Sequence, residues 1–196
     1  ARVLPGTRGG ASPAWGVLDR TIVYIKRGVI YSTPMAGGLS RRLVGGTSTW
    51  LAASPNGKRL AYQLRQSNGR TDIWIMQSNG TGRRNLTRSV TVSEGQPTWV
   101  NNTTVAYARN LSGKWAIFRM AATGGRSVRV TSPTLNCQQP AYSPDAKRLA
   151  CLTVGRTNRV RVANAGGTGS RVLPIPSSRP TQPTWASNGT VAYTTN

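Results

Sequence analysis

Three copies of one motif constrain this chain more than any other feature: Gln96-Pro97-Thr98-Trp99, Gln139-Pro140-Ala141-Tyr142 and Gln182-Pro183-Thr184-Trp185. Each copy follows the one before it by 43 residues. A fixed period of about 40 residues, rich in β-branched and aromatic positions, is the mark of a propeller blade. The question of function then becomes which surface of a repeated scaffold binds what.

Between the copies, alternating apolar and polar positions bounded by Gly, Pro, Asn and Ser read as four short strands per unit. In the second unit these are Trp50-Leu51-Ala52, Leu60-Ala61-Tyr62, Ile73-Trp74-Ile75-Met76 and Arg83-Arg84-Asn85-Leu86-Thr87. Ser54-Pro55-Asn56-Gly57 and Ser143-Pro144-Asp145-Ala146 supply the backbone angles of first-hairpin turns. Gly37-Gly38, Asn79-Gly80, Gly124-Gly125 and Gly166-Gly167 mark the third turns. The expectation is an all-β chain: one β-propeller domain over residues 1–196, with about five blades of four-stranded antiparallel sheets. Blades are expected at 12–46, 48–88, 95–131, 138–176, and 181–196 joined by 1–5. Arg2-Val3-Leu4-Pro5 copies Arg171-Val172-Leu173-Pro174, a fourth-strand sequence, so the N- and C-terminal strands would close the ring. The fifth blade lacks a third strand in this count; part of a six-bladed propeller is the alternative.

The repeat Pro-x-Trp, Ser-Pro-Asp-Gly, Ile-Ala-Phe, Ile-Tyr-Val and a Leu-Thr ending resembles the TolB-type propeller repeat, one of the WD-like propeller repeats. Ala53-Ser54-Pro55-Asn56-Gly57-Lys58-Arg59-Leu60-Ala61-Tyr62, then Asp72-Ile73-Trp74-Ile75-Met76, then Asn85-Leu86-Thr87 carry the match. The acidic turn residue survives only as Asp145; position 56 is Asn. The resemblance implies a protein-binding platform in the bacterial periplasm, or a gating domain attached to a peptidase. Within these 196 residues there is no pattern for a preceding α/β domain or for a peptidase domain.

Catalytic chemistry is poorly provided for. Histidine is absent, which removes the commonest general base and metal ligand. Asp19, Asp72, Glu94 and Asp145 are the acids, and they fall in four different blades. Asp19 and Asp145 read as turn formers, and Asp72 has arginines nearby to pair with. No enzyme activity, cofactor or metal is expected. Cys137 and Cys151 cannot alone make a four-ligand zinc site. They form either a disulfide, which suits an exported protein, or two buried thiols. Six Asn-x-Ser/Thr triplets begin at Asn79, Asn85, Asn101, Asn102, Asn110 and Asn188, as Asn-rich turns produce by chance.

Two surfaces are candidates for binding. Glu94, Gln96, Gln138, Gln139 and Gln182, with Arg179 nearby, stand where each outer strand leads into the next inner strand, at a channel mouth. Repeated amides there suit a peptide or sugar, or else satisfy backbone groups of the adjacent blade. Arg41, Arg42, Arg83, Arg84, Arg126, Arg129 and Arg171 recur in fourth strands and would form a belt for polyanions, or protect sheet edges from aggregation. Trp15, Trp99, Tyr142 and Trp185 occupy one repeated position and read as packing between sheets; Trp50 and Trp115 break the pattern and are candidates for stacking on a ligand.

The charge balance supports the second surface. Lys and Arg number 26 against 4 Asp and Glu, a formal net charge of +22. Such an excess draws polyanions, nucleic acid among them without sequence preference, or serves solubility. No stretch approaches the roughly 20 apolar residues of a membrane span. Ala1-Arg2-Val3 lacks the head of a signal peptide, consistent with a processed end or the cut edge of a longer protein. The expected function is a non-catalytic, extracytoplasmic scaffold — periplasmic, at the cell surface or secreted, in a bacterium. It would bind a protein or polymeric ligand, alone or in a larger assembly. The alternatives are a lectin-like propeller, a polyanion-binding propeller, or an accessory domain of a larger enzyme.

Overall fold

The computed structural model describes residues 11–16, 21–175 and 179–195, with residues 11–16 as strand backbone. The chain divides into two compact units, residues 1–97 and 98–196. The strand expected at residues 1–5, Asp19 and the Trp15 side chain lie outside the described residues.

The first unit holds two four-stranded antiparallel meanders. One is β1 (Ala11–Gly16), β2 (Thr21–Lys26), β3 (Val29–Pro34) and β4 (Arg41–Val44); the other is β5 (Ser48–Ala53), β6 (Arg59–Arg65), β7 (Thr71–Gln77) and β8 (Arg84–Asn85). Their apolar faces meet: Val23, Ile25, Ile30 and Val44 of the first sheet pack with Leu51, Leu60, Tyr62 and Met76 of the second. Gly80, in the turn after β7, sits over the Leu43 side chain at φ 87°.

The second unit repeats the arrangement. It holds β9 (Glu94–Asn101, beginning just before the boundary), β10 (Thr104–Leu111), β11 (Lys114–Ala121) and β12 (Val128–Arg129). The next sheet is β13 (Cys137–Tyr142), β14 (Arg148–Thr153), β15 (Arg159–Asn164) and β16 (Arg171–Val172). Last comes a two-stranded sheet, β17 (Pro180–Trp185) and β18 (Val191–Thr195). Val100, Ala106, Ala108 and Ile117 pack against Tyr142, Leu149, Cys137 and Cys151. Gly167 lies so close to the Val130 carbonyl oxygen that any Cβ would collide with it, and its φ of 87° also favours glycine. Burial alternates along β15 and runs unbroken through second strands, at Val105–Ala108 of β10 and Leu149–Leu152 of β14, whose two faces are both covered.

β4 has the length the sequence suggests, whereas β8, β12 and β16 are shorter, and the Leu-Thr or Val-Thr ending shows why β8 and β12 need no greater length. Leu86 and Val130 donate their N–H groups to the Ile73 and Ile117 carbonyls. The next residue then uses its side chain as a backbone mimic: Thr87 Oγ1 accepts the Ile73 N–H at 3.1 Å, and Thr131 Oγ1 accepts the Ile117 N–H at 2.8 Å. Second and third strands carry a cross-strand aromatic pair in three sheets, Tyr24 with Tyr31, Tyr62 with Trp74 and Tyr107 with Phe118. In the fourth sheet that position is Cys151 opposite Arg161. Cys151 reaches Cys137 on the adjoining strand; their Cα atoms are 5.9 Å apart, within disulfide range, and their sulfurs are joined. One turn of 3-10 helix, Pro133–Leu135, precedes β13.

Candidate functional site

The repeated glutamines sit on bulges. Between Gln138 and Ala141, and between Thr181 and Thr184, the inner strand slips register against its partner. Gln96, Gln139 and Gln182 take left-handed backbone angles, with φ of 56°, 50° and 48°. The prolines that follow have no N–H to leave unpaired in the bulge. The glutamine N–H is taken by an amide of the preceding sheet. Gln63 Oε1 accepts the Gln96 N–H at 3.1 Å, and Gln139 Oε1 accepts the Gln182 N–H at 2.6 Å. The Gln139 side chain thus bonds the backbone of the next bulge. Gln182 and Arg179 are exposed, whereas Gln96, Gln138 and Gln139 are half-buried. Glu94 is fully buried rather than standing on a rim.

The two other described acids have hydrogen-bond partners. Asp72 is buried and accepts from Asn85 Nδ2 at 2.6 Å, not from an arginine. Asp145 is a turn former: Ser143 Oγ donates to it at 2.5 Å and the Lys147 N–H at 3.1 Å. The Ser143 hydroxyl, then that N–H, hold its carboxyl below the usual carboxylate range. Asn56 does the same work in the equivalent turn, taking bonds from Ser54 Oγ and the Lys58 N–H. Among the described residues, Asp145 is therefore the one exposed acid.

The arginines remain outside. Arg41, Arg42, Arg83, Arg126, Arg129 and Arg171 are exposed, and Arg84 is half-buried. Arg41 Nη2 donates to the Asn79 carbonyl at 2.9 Å. Arg126 lines a hollow of about 230 Å³ with Arg119 and Met120. A hollow of about 430 Å³ in the first unit is flanked by Tyr24, Tyr31, Lys26 and Arg27.

A cleft of about 270 Å³ in the second unit combines charge with an aromatic face. Its walls include Val162, Arg171 and Leu173 of one sheet and Trp185 and Val191 of the next. The Arg148 guanidinium lies 4.5 Å from the Trp185 ring centroid, a cation–π contact. Trp185 Nε1 donates to the Ala141 carbonyl at 3.0 Å, which holds the ring in place. In the sequence Trp185 occupies a packing position of the repeat and Arg148 belongs to the basic first-hairpin turns, with Lys58, Arg59 and Lys147, that extend the polyanion belt; no linear signal brings the two together. Trp50 and Trp115 are half-buried, and Trp115 packs on the second unit's core. Trp50 stands in the bulge of β5, where the other inner strands carry proline.

In the described residues no three His, Cys, Asp or Glu side chains cluster as metal ligands, and no helix is long and apolar enough to cross a membrane. The chain is similar in structure to a protein assigned as TolB from Agrobacterium tumefaciens, at 18% identity and a TM-score of 0.81, over 94% of this chain and 69% of that one. It is similar to TolB from Acinetobacter baumannii at 21% identity and a TM-score of 0.77, over 95% of this chain and 49% of that one, so it spans about half of that protein. It also resembles a gluconolactonase from Xanthomonas campestris at 14% identity and a TM-score of 0.73, over 95% of this chain and 69% of that one. Likeness at these identities concerns the fold alone. Residues 7–196 match the TolB beta propeller domain, nearly the whole length of the chain, and with the four-stranded meanders and the Leu-Thr endings this makes the chain a member of the TolB beta propeller domain family.

Proposed function

We propose that this chain is a non-catalytic binding propeller of an extracytoplasmic bacterial compartment, and that its ligand is a protein or polymer presenting acidic groups. The observation that carries this reading is the cleft where Arg148 stacks on Trp185 beside Arg171, set in a surface whose one described exposed acid is locked in a turn. Arginine on an aromatic face is positioned for carboxylate, phosphate or sulfate, and loses little freedom on binding. The separation of the acids favours binding over turnover. Asp72 is engaged by Asn85, Glu94 is buried and histidine is absent, so proton transfer has no paired groups to work with. The bacterial TolB relatives support the compartment.

The test is binding to heparin, an acidic protein and a panel of neutral glycans at about 0.15 and about 0.5 M salt. Acidic ligands are expected to bind and to weaken at least about tenfold at the higher salt. Selective binding of one neutral glycan, unchanged by salt, would replace this reading with a lectin.

A further inference from the structure

The sheet β9–β12 inverts a pattern that two other sheets share. Ala61, Ala106 and Ala150 of second strands stand opposite Ile75, Arg119 and Val162 of third strands. Those in turn stand opposite Arg84, Val128 and Arg171 of fourth strands. In β5–β8 and β13–β16 the aliphatic side chain is therefore inside, where Ile75 and Val162 are buried, and the arginine is outside. In β1–β4 the pair is Ser32 and Arg41, again with the arginine outside. In β9–β12 the arginine is inside and half-buried, and Val128 is left 53% exposed. Two residues before Val128, Arg126 holds the place of Gly82 and Gly169. Taking part of a guanidinium out of water and leaving an aliphatic group in it both cost stability. Within the described residues nothing offsets this. Neither Arg119 nor Arg126 donates a hydrogen bond or meets a carboxylate there. Tyr142, whose hydroxyl feels the Arg119 charge, gives its hydrogen to the Ala165 carbonyl at 3.1 Å.

We propose that the hollow lined by Arg119, Arg126 and Val128 is a docking pocket for a partner protein: it takes an acidic side chain on the two guanidinium groups and an apolar neighbour of that side chain over Val128. This pocket deepens the binding function above, on which the proposal rests, at a place separate from the Trp185 cleft. Its volume of about 230 Å³ lies below the roughly 300–1,000 Å³ of small-molecule sites, so it suits one or two side chains of a larger partner. Its walls match such a pair. Buried Val100 and Met120 supply apolar surface beside Val128. Asn101 spends its Oδ1 on the Thr103 N–H and hydroxyl, at 2.9 and 3.0 Å, and keeps Nδ2 to donate. Two guanidinium groups without a carboxylate are suited to bidentate contact with one, and arginine in a pocket is a common anchor of protein interfaces. The partner is a different protein. Among the described residues of this chain, Asp72 and Glu94 are buried and Asp145 is held in its turn, so a second copy offers no such acid.

The experiment titrates the whole chain with a blocked synthetic peptide of about eight residues. It carries one glutamate and one leucine two positions apart between glycine and serine, so that both lie on one face when extended. Nuclear magnetic resonance follows the side-chain N–H groups of Arg119 and Arg126 and the Val128 methyl groups. These signals are expected to shift and saturate. Glutamine in place of glutamate is expected to weaken binding at least about tenfold, and serine in place of leucine at least about threefold. The Arg119→Ile, Val128→Arg double variant restores the order of the two other sheets. It is expected to melt at or above the temperature of the parent protein, yet to bind the peptide at least about tenfold more weakly. Lys114→Gln removes a charge at the far end of β11 and is expected to bind as the parent does. Peptide binding unchanged in the double variant would overturn the proposal, as would equal binding of the glutamine peptide. A double variant that melts clearly below the parent would show that the inversion serves stability, and would overturn it too. Inorganic phosphate that shifts the same signals as strongly as the peptide would make the hollow a site for free anions, with the same consequence. Salt-sensitive heparin binding with no peptide shift at Arg119 or Val128 would sink this inference and leave the proposed function standing. Binding of neither heparin nor peptide would remove both.

Discussion

Thr131 offers a sharp test of how the blades end. Its Oγ1 accepts the Ile117 N–H at 2.8 Å, and Ile117 is completely buried. Thr131→Val preserves shape and volume but replaces that acceptor with a methyl group. The Ile117 N–H is then left in the core with nothing to bond, at a cost of about 1–3 kcal/mol. The added methyl recovers under about 1 kcal/mol of apolar burial. A net loss near 2 kcal/mol corresponds to a fall in Tm of about 6 °C for a chain of this size. Thr131→Ser is the control: it keeps the hydroxyl and loses one methyl group, so it is expected to cost about 1 kcal/mol or less. Thr87→Val is expected to cost less than Thr131→Val, because Thr87 is half-buried and its bond to the Ile73 N–H is longer, at 3.1 Å. Thermal denaturation of the four proteins under one buffer gives the order directly. A serine variant less stable than the valine variant would mean that packing, not the hydroxyl, holds this end of the sheet, and the backbone-mimic account would be wrong.

Cys137 and Cys151 are 14 positions apart, and closing a loop of that length stabilises by about 3 kcal/mol in the chain-entropy picture. The double Cys→Ser variant should melt about 9 °C lower, and thiol titration of the denatured, unreduced protein should find no free cysteine. Asp145 contributes stability through a depressed pKa, so its contribution is present above the ordinary carboxylate range and is lost as pH falls through the folded value. Asp145→Asn should keep the turn, as Asn56 does, and its Tm should converge with that of the parent protein at about pH 2. Burial pushes the hydroxyls of Tyr62 and Tyr142 up to about 12, against the pull of Arg83 and Arg119 respectively. The unfolded chain ionises first, so stability is expected to fall as pH rises from about 10 towards 12, and ultraviolet titration should show two late tyrosines. The Tyr62 hydroxyl is buried with no hydrogen-bond partner among the described residues. Tyr62→Phe should therefore leave Tm unchanged or raise it, and a clear drop would reveal a partner for that hydroxyl.

The sheets were legible because each blade restates the same alternation, turn and ending, so an ambiguous stretch in one copy is settled by another. What the side chains of the repeat do was less legible. Gln96, Gln139 and Gln182 carry both donors and acceptors, and residue type alone cannot say whether those face a ligand or a neighbouring strand. The answer lies in the left-handed bulge, whose N–H turns towards the previous sheet. Glu94 reads as surface because it is charged, yet it is buried, and Asp72 finds Asn85 among many arginines. Such pairings depend on geometry across strands, which a linear pattern does not carry.

The cleft was hidden for a different reason. A repeat argument assigns equivalent residues equivalent surroundings, and so Trp185 inherits the packing role of Trp99 and Tyr142. That inference holds only where the neighbouring strand is also repeated. Tyr142 is covered by Ala165 and spends its hydroxyl on that residue's carbonyl. Trp185 has no such cover among the described residues; its indole N–H goes back to Ala141, and Arg148 lies on its face instead. The same reasoning applies where the repeat is broken in composition: Cys151 replaces an aromatic and reaches Cys137, and Trp50 replaces a bulge proline. In a repeated scaffold the recurring positions are consumed by holding the sheets together, as Gln139 and Tyr142 do. Chemistry left over for a partner collects where one copy departs from the others, as where the Arg148 guanidinium lies on the Trp185 ring.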